Sequence, residues 1–337
     1  MKSTVPHIAF FRISALGDIA MCVPAIKAVR EKYPDLRISV ISIAFAEPLF
    51  QEIPNCNFIA FDKKRDGSIL GLWNLQRKLR ALEITHFADF HQVFRSKLLR
   101  FFLTGSGIQT AAIDKARALK RKLTAGNGRF AIPSVFDRQL EVLQQLNFSI
   151  AFAALKPLQK RSIPEMFASS RVKIGIAPFA QHASKVYDLD LLKSVIQGVL
   201  ERSAAEVILF GSKSELAVLQ EIKADENRIR IAAGALSFRD ELALISCLDV
   251  MLSMDSANGH LAALYGVPVV TLWGVTHPTA GFKPFLQTDD NQLTADLERF
   301  PKIPTSIYGN KYPEDYAHAI DSIAPEKVVE RLLQFLS

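Results

Sequence analysis

Residues 253–278 read SMDSANGHLAALYGVPVVTLWGVTHP. The apolar run 247–254 ends in Asp255, and 267–273 is apolar and rich in β-branched residues, as a strand covered on both faces should be. Between them Ser256 is placed to cap a helix, Gly266 to end it in a left-handed conformation, and Pro268 to forbid its continuation. That leaves about two helical turns, so the stretch reads as strand, helix, parallel strand. In such a unit the N–H groups of Asn258, Gly259 and His260 face outward beyond the carboxyl end of the first strand, where the helix dipole favours negative charge. Small residues at Ser256, Ala257 and Gly259 permit close approach of a ligand, and Asp255 and His260 bracket the opening. The stretch fits a phosphate or pyrophosphate site, and it equally fits an ordinary capped helix of an α/β sheet.

Outward from this unit, strands are expected at 172–177, 206–210, 228–232, 249–253 and 267–272, with helices at 189–202, 214–223 and 238–246. A terminal amphipathic helix begins at Pro325. The first half repeats the alternation, with strands at 7–13, 36–43, 57–61, 84–90 and 108–113 and helices at 19–32, 69–82, 94–103 and 135–146. Periodicity lapses over 150–170, as in a linker. The expected organisation is α/β: two doubly wound domains at 1–160 and 161–325, a terminal helix at 326–337, and a cleft between the two sheets.

With 337 residues, 49% hydrophobic and 22% charged, the chain is long enough for two globular cores. The start of the sequence lacks the apolar core of a signal peptide, and no apolar run approaches about 20 residues. The three cysteines, Cys22, Cys56 and Cys247, supply neither a disulfide framework nor metal-ligand spacing. A cytoplasmic protein is therefore expected. Residues 1–160 hold 24 Lys and Arg against 12 Asp and Glu, whereas the remainder holds 17 against 22. The first half should attract an anionic partner: nucleic acid, a lipid headgroup, or a phosphorylated or lipid-linked substrate. Residues 114–129, DKARALKRKLTAGNGR, read as a mobile basic surface loop.

Several further residues are candidates for chemistry. The first strand runs into Ile13-Ser14-Ala15-Leu16-Gly17-Asp18, which places Asp18 at a helix start on the sheet's carboxyl edge. There it could serve as a base or simply as a capping carboxylate. After the strand ending at Ala177, the loop 178–185 holds Gln181, Ser184 and Lys185, and Lys185 could neutralise a phosphate. Gly211, after the next strand, could line a nucleotide pocket. Asp188-Leu189-Asp190 spells a metal-site motif, yet it opens a helix and reads as a cap. P-loop, classical dinucleotide and α/β-hydrolase motifs are missing, and no metal site is expected.

Taken together, Ile13 to Ile19 with Pro24-Ala25, the loop 178–185, Ser253-Met254-Asp255-Ser256 with His260, and Gly266-Val267-Pro268 with Trp273-Gly274-Val275-Thr276-His277-Pro278 resemble the ADP-heptose:lipopolysaccharide heptosyltransferases of glycosyltransferase family 9. The resemblance runs in family order from about residue 7 to the terminal helix. It implies a GT-B architecture, two Rossmann-like domains facing across a cleft, with acceptor bound by the first and nucleotide-sugar by the second. By similarity Asp18 is the catalytic base of an inverting, metal-independent transfer. Lys185 lies on the donor phosphates, Asp255 holds the donor sugar, Ser256, Ala257, Asn258 and Gly259 form the phosphate turn, and His260 follows it. Where many relatives have glycine after the Asp-Ser/Thr pair, this chain has Ala257-Asn258. It also lacks their late cysteines.

The function implied is heptose transfer from ADP-heptose to an anionic, lipid-linked lipopolysaccharide core. No cofactor is expected, nor any nucleic-acid partner, and peripheral contact with the inner face of the bacterial inner membrane is. Two other readings compete, a nucleotide-sugar epimerase of the same architecture and a non-catalytic module recognising anionic glycolipid.

Overall fold

The computed structural model describes residues 5–126 and 128–336. Residues 1–4, Asn127 inside the basic stretch and Ser337 at the end of the expected terminal helix lie outside the described residues. The chain divides into two compact units, one of residues 1–115 and 133–156, the other of 116–132 and 157–337.

The first unit is a five-stranded sheet in the order β3-β2-β1-β4-β5, all parallel. The strands are β1 (His7–Phe11), β2 (Arg37–Ser42), β3 (Cys56–Ala60), β4 (His86–Asp89) and β5 (Gln109–Ala112). The helices are α1 (Leu16–Ala20), α2 (Val23–Lys32), α3 (Ile69–Ala81), α4 (Phe94–Thr104) and α6 (Val135–Gln145). The helix expected over 19–32 is two helices, because Pro24 in the first turn of α2 lacks the N–H that would continue α1. Phe11, Phe61, Phe87, Leu72, Leu79 and Leu103 form the core on one face of the sheet.

The second unit is a six-stranded sheet, β11-β10-β9-β6-β7-β8, again parallel. Its strands are β6 (Lys173–Ala177), β7 (Glu206–Leu209), β8 (Ile229–Ile231), β9 (Val250–Met254), β10 (Val269–Trp273) and the edge strand β11 (Gln292–Thr294). Helices α7 (Leu189–Arg202), α8 (Leu216–Lys223), α9 (Phe238–Ser246), α10 (Ala257–Leu264) and the terminal α11 (Pro325–Leu333) cover it. The closeness of α7 and α11 depends on Gly198, where a Cβ would stand 3.0 Å from Val329 Cγ2.

The basic stretch, expected as a mobile surface loop, contains a helix. Its core is helix α5 (Arg117–Leu123), built from good helix formers and packed onto the second unit. Lys120 is buried with its ammonium 4.4 Å from the centre of the Phe282 ring and 5.7 Å from that of Tyr308. The Ile132 N–H donates to the Thr279 carbonyl at 2.9 Å. Because this segment carries five Lys and Arg and no acid, its placement moderates the charge asymmetry. The first unit holds 18 Lys and Arg against 12 Asp and Glu, the second 23 against 22.

Candidate active site

A doubly wound sheet binds ligands outside the carboxyl ends of its strands, where successive connections leave in opposite directions. In the first unit that point lies between β1 and β4, in the second between β6 and β9. Asp18 follows β1, Lys185 follows β6, and Asp255 with the start of α10 follows β9, so these sit at the two points, whereas Gly211 follows β7 and does not.

In the first unit Asp18 occupies the third residue of α1, and its Oδ2 accepts the Ala15 N–H at 3.3 Å. The same oxygen is ion-paired with the Arg12 guanidinium. Neither contact falls on the other carboxylate oxygen. Arg12 is a positioning residue that the sequence alone did not expose. Its Nε donates to the Ser14 carbonyl and its Nη1 to the Phe90 carbonyl, both at 2.7 Å, so one planar group ties the ends of β1 and β4 to Asp18. His91 completes the cluster: its Nδ1 accepts the Ile13 N–H at 3.1 Å. Burial first, then the nearby Arg12 and Lys115 charges, push the His91 imidazole down to about 3, so it stays neutral near pH 7. Beneath it Asp89 Oδ1 accepts the His91 and Gln92 N–H groups at 3.0 and 2.7 Å.

In the second unit the adjacent ends of β6, β9 and β10 gather Lys185, Asp255 and Thr276. Lys185 Nζ lies 2.8 Å from Asp255 Oδ2, and both side chains are close to nine-tenths buried. The Thr276 hydroxyl donates to that same oxygen at 2.9 Å. Lys185 and Asp255 thus form one cluster. Next to it α10 begins. Since its first residue is Ala257, the N–H groups without an intrahelical acceptor belong to Ser256, Ala257, Asn258 and Gly259, and the His260 N–H is one residue too deep. The Ser256 hydroxyl caps none of them; it pairs with Ser253 Oγ at 3.1 Å.

Two sequence expectations are corrected here. Gly259 is small to let α10 seat on the sheet, because a Cβ there would stand 3.2 Å from Ser253 Oγ and 3.4 Å from Val269 Cγ1. His260, expected at the opening with Asp255, is buried at the fourth position of α10. The reading of Gly266 holds, with φ +73° after the last turn.

Of the remaining candidates, Ser184 and Gly211 are support rather than rim. Ser184 is buried and its hydroxyl donates to the Gly309 carbonyl at 2.6 Å. Gly211 lies where a Cβ would meet Glu215 Oε2 and Leu219 Cδ1, each at 3.1 Å, so its smallness serves the turn into α8. Gln181 is exposed. The Asp188 carboxylate accepts the Asp190 and Leu191 N–H groups at 2.9 and 3.1 Å, the cap expected of it. Gly309 is the other residue that sequence reasoning missed. At φ +86° it lies against the Lys185 stem, and a Cβ would stand 2.5 Å from Lys185 Cδ and 2.8 Å from Cγ. Its N–H donates to Ser306 Oγ at 2.9 Å, which fixes the turn.

Fold and site together define an enzyme of the α/β class with two Rossmann-like units, one presenting a held carboxylate and the other a cation beside a helix N-terminus. The sequence profile of glycosyltransferase family 9 (heptosyltransferase) matches residues 72–305. The lipopolysaccharide core heptosyltransferase OpsX of Haemophilus influenzae is 24% identical over 287 residues, 80% of each chain. Lipopolysaccharide heptosyltransferase 3 of Escherichia coli K12 is 23% identical over 92% of this chain and 96% of its own. Among solved structures, the Escherichia coli ADP-heptose lps heptosyltransferase II superposes with a TM-score of 0.70 at 22% identity, covering 98% of both chains. The chain belongs to glycosyltransferase family 9. Its fold class is GT-B and it is a glycosyltransferase.

Proposed function

We propose that this protein transfers heptose from ADP-heptose to a phosphorylated lipopolysaccharide core acceptor on the cytoplasmic side of the inner membrane. The observation that carries the reading is the convergence of Lys185, Asp255 and the start of α10 at the β6–β9 crevice. A pyrophosphate there meets a positive helix end and an ammonium. In the reaction Asp18 takes the proton from the acceptor hydroxyl as it attacks the anomeric carbon. The bond to the ADP oxygen breaks with inversion, and the leaving diphosphate gains charge that Lys185 and the first N–H groups of α10 stabilise. Asp255 holds Lys185 in position while the site is empty and turns to the sugar once the diphosphate competes for the ammonium. The names of the relatives support the donor and acceptor, and the first unit's cationic excess suits an anionic acceptor.

The test is acceptor-dependent release of ADP from ADP-heptose with a heptose-deficient core, compared with UDP- and GDP-sugars. Release that requires the acceptor and prefers the ADP donor is expected. Conversion of the donor into an isomer without acceptor would replace this reading with epimerisation.

A further inference from the structure

The outer face of α3 and α4 in the first unit carries apolar side chains that the proposed reaction does not use. Ile69 and Leu70 are each 69% exposed, Trp73 47%, Phe94 79% and Phe101 73%. Two helices of 13 and 11 residues thus hold five of the thirteen large exposed hydrophobics among the described residues, which marks a patch rather than scatter.

The helices lie side by side and run the same way. Arg95 Nε donates to the Gly67 carbonyl at 3.1 Å near both starts, the Trp73 and Phe102 rings meet edge-on at 5.3 Å, and Gln76 Nε2 donates to Ser106 Oγ at 2.8 Å further along. Leu72, Leu75, Leu79, Leu99 and Leu103 point into the core, so the exposed set shares the opposite surface. Phe94 and Phe101 stand two turns apart on α4 with the exposed Lys97 between them.

Charge selects the partner. Residues 62–104 contain nine Lys and Arg against four Asp and Glu. Three of the acids are already engaged, Asp66 by Arg65 at 2.7 Å, Glu83 by Arg37 at 3.2 Å and the fully buried Asp89 by Arg100 at 3.2 Å. Two copies of such a face would repel each other. An anionic bilayer would accept the Trp, Phe, Ile and Leu side chains at headgroup depth and attract the surrounding cations. We infer that the outer face of α3 and α4 docks this protein onto an anionic lipid surface. The inference builds on the lipid-linked acceptor of the proposed function and names the surface that would bring the protein to it.

The sequence holds only two tryptophans, Trp73 in the patch and the buried Trp273, so a fluorescence change on adding vesicles reports Trp73. With the full chain, vesicles of phosphatidylcholine and phosphatidylglycerol should shift the emission to the blue and carry the protein upward on flotation. Phosphatidylcholine alone should bind much less, and binding should fall with salt. The pair Phe94→Glu and Phe101→Glu should lower partitioning by on the order of a hundredfold, and Phe94→Gln with Phe101→Gln by about tenfold or more, at unchanged melting temperature. Wild-type partitioning retained by the charged pair would overturn the assignment, as would self-association of the wild type abolished by the same pair. Transfer to a detergent-dispersed core acceptor, run on the same proteins, reports the catalytic reading separately. Vesicle binding lost with transfer retained supports the docking face, and vesicle binding by a wild type that transfers nothing supports the face while refuting the function.

Discussion

Lys185 Nζ and Asp255 Oδ2 lie 2.8 Å apart at the adjoining ends of β6 and β9, with the Thr276 hydroxyl on the same oxygen. Removing one member of a buried pair leaves the other uncompensated at a cost of about 3–5 kcal/mol. Because Thr276 remains and the pair is not wholly dry, Lys185→Met should cost about 2–3 kcal/mol of stability. Lys185→Met with Asp255→Leu should recover most of that loss in chemical denaturation yet leave transfer undetectable. Transfer restored together with stability would show that the pair is structural only.

Arg12 reaches three acceptors from one planar group. A lysine there has a point charge on a flexible stem and cannot satisfy three fixed directions. Arg12→Lys should lower kcat by on the order of 10–100-fold through misplacement of Asp18 while donor KM stays unchanged. A donor KM that rises with kcat unaltered would remove Arg12 from the positioning of Asp18.

Gly309→Ala tests whether the late turn sets the Lys185 stem. Both Gly309 and Gly107 have positive φ, but a Cβ at Gly107 meets nothing within 4 Å, whereas at Gly309 it meets Lys185. Both substitutions carry a left-handed penalty of about 1 kcal/mol. Only Gly309→Ala should also weaken ADP binding, by on the order of tenfold in a calorimetric titration, the effect of a displaced charge on a phosphate. Equal ADP affinities in the two variants would mean that the stem moves aside freely.

His91 makes a prediction in pH. Its folded-state value of about 3 lies below the ordinary 6.5, so the unfolded chain takes up the proton first. The stability it contributes is complete above about pH 6.5 and is lost as pH falls toward 3. His277, pushed down to about 4 by burial and then by Arg129, acts in the same direction. Denaturation midpoints of His91→Asn should fall less steeply than wild type between pH 6.5 and 4. Parallel curves would show that His91 is readily protonated in the fold.

What the sequence revealed and what it hid follow from the range of the interactions. Helix α7 was legible to the residue because its signals are local, with the Asp188 cap at one end and amphipathic spacing along it. The carboxyl-edge loops holding Asp18, Lys185 and Asp255 were legible because strand–turn–helix order alone puts them there. Helix α5 was obscured by its charge, which reads as solvated until Phe282 and Tyr308 are known to cover Lys120. Edge strand β11 is three residues whose conformation depends on pairing with β10. Arg12 and Gly309 could not be read at all, since their contacts with Phe90 and Ser184 span 78 and 125 residues.

Asp18 is assigned the role of base, and the most direct measurement of that role is acceptor-dependent ADP release from saturating ADP-heptose by wild type and Asp18→Asn, each first shown to bind ADP. Asp18→Asn should bind ADP as wild type does and turn over slower by about 10²–10⁴-fold. Turnover within a few fold of wild type would contradict it.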